Sequence, residues 1–74
     1  MRESLEDFAE KQEEVLQQND YKDGWEGSTN DELFHYAMLE MCELFDAITF
    51  HDRNIIKECC DVANFMMMIA DNNK

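Results

Sequence analysis

Proline is absent from the chain, and glycine occurs only twice, at Gly24 and Gly27. So few helix breakers exclude a chain that reverses often and describe a helical protein with one real break. Basic residues are also scarce: six Lys and Arg stand against 18 Asp and Glu, for a formal charge of −12 and an isoelectric point near 4.2. Without a basic cluster the chain has no means of neutralising phosphates, which excludes that mode of nucleic-acid binding and adhesion to an anionic membrane. An anionic substrate would need a cation as intermediary. No run approaches the ~20 apolar residues of a membrane span, and the opening MRESLEDFAE has no apolar core of a signal peptide. Cysteine is sparse and odd in number. Cys42, Cys59 and Cys60 lack C-x-x-C spacing and lie in helical patterns, which predicts small buried thiols in a reducing, cytoplasmic setting.

What the chain does contain is apolar material in groups. Apolar residues make up 45%, with five Phe, two Tyr and one Trp, too much and too clustered for a disordered acidic chain. Its 74 residues allow one domain. A chain of that size buries only roughly 60% of its unfolded surface, and such marginal cores need metals, disulfides or association. An oligomer is therefore expected.

Three helical segments follow from the periodicity. The first, about 4–18, carries Leu5, Phe8, Val15 and Leu16 on one side, with Ala9 and Gln12 filling the stripe and acids opposite. Ser4 followed by Asp7 predicts a variant of the capping box. A loop over 19–29, with both glycines, Tyr21 and Trp25, is long enough for so small a domain to suggest function. The plainer alternative is that Trp25 plugs the end of a helix bundle. The second segment, about 30–50, opens on the capping signal of Thr29 to Glu32. It repeats Leu33, Phe34, Ala37, Met38, Met41, Leu44, Phe45 and Ile48 at three- and four-residue intervals, predicting a core-facing stripe. After a break at His51 to Arg53, the third segment, about 54–72, is apolar almost all round. Such a helix must be surrounded, and two others cannot enclose it. The predicted fold is all-α: a helical hairpin with an N-terminal helix, associating two-fold into an oligomeric four-helix bundle.

Four acids are out of place against that apolar background. Glu40 and Glu43 on the second segment, and Glu58 and Asp61 on the third, form two pairs three residues apart, so each pair projects to one side of its helix. If the apolar stripes face each other, the four converge. An acidic pair alone more often marks a solvated face in a chain with 18 acids; two pairs on successive helices favour a shared site. Converging carboxylates repel and are costly to desolvate unless protonated or neutralised. An all-oxygen set on a rigid scaffold suits hard ions, Mg²⁺ first and Mn²⁺ second. Neither Glu40 nor Glu58 is followed by His three residues on, so a di-iron centre of the Glu-x-x-His type is not expected, and His35 and His51 are read as surface or cap residues.

The pattern Glu40-x-x-Glu43, 14 residues, then Glu58-x-x-Asp61 resembles the signature of the MazG-like nucleoside triphosphate pyrophosphohydrolases. NDYKDGWEG is similar to the N-D-x-K-G-G-W entry of small phage and archaeal members, and EccDVANFMMMIADN to their E-A-A-D-V-A-N-F-x-M-M-I-A-D-N ending. The resemblance implies Mg²⁺-dependent hydrolysis of a nucleoside triphosphate, ribo or deoxy, to the monophosphate and pyrophosphate, by a dimer or tetramer of helical bundles. It assigns metal binding to Glu40, Glu43, Glu58 and Asp61, and substrate contacts to Lys22, Trp25 and Asn64. Glu43 is the expected group to orient or deprotonate the attacking water. Leu39 stands where many relatives carry a further acid, and Asp23 where many have Gly. The competing reading is a non-catalytic helical oligomer, either an acidic interaction module or one stabilised by metal.

Overall fold

In a computed structural model of the chain, residues 1–19, 24–51 and 54–74 are described. They form three helices and no strand: α1 (Glu3–Gln17), α2 (Asn30–Thr49) and α3 (Ile55–Asn72). Tyr21 and Lys22 of the loop, with Asp52 and Arg53 of the predicted break, lie outside the described residues.

Helix α2 starts where its sequence dictates. Thr29 accepts a hydrogen bond from the Glu32 backbone N–H at 3.1 Å, and Glu32 accepts one from the Thr29 backbone N–H at 3.3 Å, closing a reciprocal capping box. The helix ends at Thr49, and His51 turns into the left-handed region at φ 55°, donating its N–H to the Ile48 carbonyl. That is the helix C-terminal stop in which the C′ residue adopts αL, here without glycine. The expected cap at Ser4 is not formed. Helix α1 begins earlier, with Arg2 at the N-cap, no side-chain cap bond, and Ser4 inside the first turn. Its Glu3 and Glu6 place negative charge beside the helix N-terminus instead.

Helices α2 and α3 form an antiparallel hairpin, and α1 packs on α3. The open end of the hairpin is tied by Asn30 and Asn73, whose amides exchange bonds of 2.7 and 3.3 Å. Leu33, Ala37 and Ala47 are buried, and the small alanines let α2 approach α3 closely. Cys60 on α3 has no exposed surface, and burial pushes its thiol pKa up. Cys42 departs from the expectation of buried thiols: it is exposed.

The predicted core stripe of α2 divides in two. Leu33, Ala37 and Leu44 turn toward the interior, whereas Phe34, Met38, Met41, Phe45 and Ile48 remain more than half exposed on the adjoining face. Both sets follow helical spacing, the first by four and seven and the second by four and three, so periodicity alone could not separate them. Among the described residues, only the first set is turned into the interior. On α3, Ile56 and Met66 are exposed while most other apolar side chains are half-buried. The radius of gyration, 12.7 Å, exceeds the about 11 Å expected of a compact domain of this length.

Candidate metal centre

Helix periodicity and the antiparallel hairpin bring Glu40 and Glu43 of α2 against Glu58 of α3. One carboxylate oxygen from each lies within 4.8 Å of those from the other two. Glu40 and Glu58 are half-buried and Glu43 is exposed, giving the group a protected interior and an open side. Glu40 Oε2 and Glu58 Oε2 are fully shielded and have no hydrogen-bond partner among the described residues. Glu43 adds its oxygen from the exposed side, and carboxylates so close together need a shared proton or a cation between them.

Electrostatics record the crowding. Burial, reinforced by the charges of Asp61, Glu43 and Glu58, pushes the Glu40 carboxyl up to about 7. Burial also raises the Glu58 pKa, with Lys57 opposing the effect and Asp61 and Glu43 adding to it. Two unit charges at this separation repel by roughly 3–4 kcal/mol at an effective dielectric of ~20. Three such pairs rival the whole stability of a domain of this length, about 4–11 kcal/mol. Full ionisation of the cluster is therefore costly, and positive charge placed among the oxygens would offset that cost. An all-oxygen set with two shielded, unpartnered oxygens fits a hard divalent cation.

Asp61 stands apart from the three glutamates. It belongs to the same electrostatic neighbourhood, but its Oδ2 is engaged by Lys57 Nζ at 2.9 Å. Asn64, one turn further along α3, is buried and bonded to α1: it accepts from Gln12 Nε2 at 3.1 Å and donates to the Gln12 carbonyl at 3.3 Å. Its amide holds α1 against α3. Trp25 is half-buried at the end of the bundle, where its indole N–H donates to Asp71 Oδ2 at 3.1 Å and its carbonyl accepts from Asn72 at 2.9 Å. Lys22 lies outside the described residues. Leu39, where the resemblance places another acid, is exposed.

A cleft of about 950 Å³ runs from Trp25 past Leu33 and Tyr36 to Glu40, Lys57 and Asp61. That volume lies in the ~300–1,000 Å³ range of small-molecule sites. Asn64 and Phe65 also border it. Tyr36 stacks on Phe65 with ring centroids 5.9 Å apart and planes inclined by 25°. Tyr36, Phe65 and Lys57 were not singled out from the sequence as site residues. The signal was present: Tyr36 precedes Glu40 by four, Phe65 follows Asp61 by four, and Lys57 precedes Asp61 by four, each one helical turn from a predicted ligand. No family model, curated protein or solved structure matches the chain.

Proposed function

We propose that the chain is a Mg²⁺-dependent nucleoside triphosphate pyrophosphohydrolase of the MazG-like kind, acting as a homo-oligomer. The observation carrying this reading is the convergence of Glu40, Glu43 and Glu58 around two shielded, unpartnered oxygens. These residues would hold the metal, with Asp61 beside them; Mn²⁺ is the natural substitute. A bound divalent cation supplies charge neutralisation for a triphosphate that a chain of charge −12 would otherwise repel, and stabilises the leaving pyrophosphate.

The chain's own groups divide the remaining work. Glu43, on the open side, accepts a proton at a carboxylate oxygen from the water attacking the α-phosphorus. The water oxygen bonds to that phosphorus as the bond to the bridging oxygen breaks, releasing pyrophosphate and the monophosphate. Tyr36 and Trp25 border the cleft and offer aromatic faces to a base. Asn64 supports the cleft by joining α1 to α3.

Association rests on the uncovered face of α2. Phe34, Met38, Met41, Phe45 and Ile48 succeed one another by four, three, four and three residues, the spacing of a helix-packing seam. The accessible surface is 5814 Å², against about 4,800 Å² for a folded monomer of this mass. The excess, about 1,000 Å², is of the order of the ~800 Å² that each partner buries in a standard interface. The same face would also serve a non-catalytic, metal-stabilised oligomer, so turnover decides between the readings. A panel of ribo- and deoxynucleoside triphosphates with Mg²⁺ should release pyrophosphate from at least one member. Glu43→Gln and Asp61→Asn should each abolish release while helicity by circular dichroism persists. Metal-dependent melting without pyrophosphate from any nucleotide would favour the non-catalytic reading.

A further inference from the structure

Asp61 is the one acid of the proposed centre that already has a cation. Lys57 Nζ lies 2.9 Å from Asp61 Oδ2 across one turn of α3; the lysine side chain is 50% exposed and the aspartate 16%. Lys57 is also the only basic side chain bordering the cleft among the described residues, and it feels Glu58 and Glu40 as well as Asp61. Three carboxylates therefore share a single ammonium. A carboxylate oxygen turned to that ammonium competes for the same lone pairs with any divalent ion brought to the glutamates. The lysine stem is long and rotatable, so the ammonium can leave Asp61 and stay at the cleft.

We infer that Lys57 is an exchangeable counter-ion of the centre: it occupies Asp61 in the ion-free protein, yields that oxygen when a divalent cation binds, and then presents its ammonium to a phosphate group in the cleft. This inference rests on the divalent-cation reading of Glu40, Glu43 and Glu58. It differs from the ordinary role of a lysine four residues from an aspartate on a helix, a surface pair that supports the helix slightly and affects no ligand. An exchangeable counter-ion instead has effects of opposite sign on metal and on anion.

The test is calorimetric titration of the full chain and its Lys57→Gln and Lys57→Arg variants, first with Mn²⁺ alone and then with inorganic tripolyphosphate in saturating Mg²⁺. Lys57→Gln should bind Mn²⁺ about two- to fivefold more tightly, the range an exposed ion pair commands. It should bind tripolyphosphate about tenfold more weakly, as expected for loss of a charge-assisted hydrogen bond. Lys57→Arg, which keeps the charge, should recover most of the tripolyphosphate affinity. Mn²⁺ binding that is unchanged or weaker in Lys57→Gln would overturn the exchange, and unchanged tripolyphosphate binding would overturn the phosphate contact. Failure of the unsubstituted chain to bind Mn²⁺ at all would overturn the metal-centre reading and this inference together.

Discussion

Glu40 concentrates the physical chemistry of the centre in one side chain. Burial and three neighbouring carboxylates raise its pKa from 4.5 to about 7. The folded chain therefore keeps a proton that the unfolded chain loses, and the stability linked to that proton is fully present below about pH 4.5 and lost as pH rises through about 7. Without metal, the melting temperature should fall between about pH 5 and pH 8. The surface acids push the same way, so the diagnostic is Glu40→Gln, which removes the titration and should flatten the fall. Mg²⁺ should recover the lost stability at the upper end of that range, because a cation replaces the missing proton. A melting profile with the same slope in both proteins would contradict the shift. At this scale the sequence exposed the pairs but not their partners. Spacing by three announced Glu40 with Glu43 and Glu58 with Asp61; it could not show that Lys57 holds Asp61 or that Gln12 takes both ends of the Asn64 amide. Those contacts depend on rotamers and on where α1 docks.

The elements were the most legible part. All three helices start and stop within a residue of the positions expected from periodicity and breaks. Thr29 and Glu32 show why: a capping box satisfies backbone donors through residues only three apart, so it is written locally. Replacing Thr29 by Ala should cost about 1 kcal/mol. For a chain this short that is a fall of roughly 4–8 °C in melting temperature, measurable by circular dichroism. Ser4 had a similar local signal and is not a cap, because α1 begins one residue before it. The α2 stripe fails for another reason. Phe45 and Leu44 are adjacent in a sequence that is apolar on both faces, and periodicity gives no rank between a face turned to the interior and one left more than half exposed among the described residues.

At the scale of the whole molecule, the uncovered face and the apolar third helix give the same expectation from different evidence. Light scattering on the eluting protein should give a multiple of the 8.8 kDa chain mass. Met41→Glu and Phe45→Glu, each placing a charge in the α2 seam, should shift the mass toward a single chain and lower the melting temperature. An unsubstituted chain eluting at its own mass would contradict the assembly. The described helices include none long and apolar enough to cross a membrane. On the proposed reading, the strong acidity means that an anionic substrate would approach this molecule only together with a divalent cation. The most direct test is hydrolysis of a nucleoside triphosphate by the full chain with Mg²⁺ in ¹⁸O-water. Attack at the α-phosphorus should place the label in the monophosphate, with unlabelled pyrophosphate. Label in inorganic phosphate, or no product from any triphosphate, would contradict the proposed reaction.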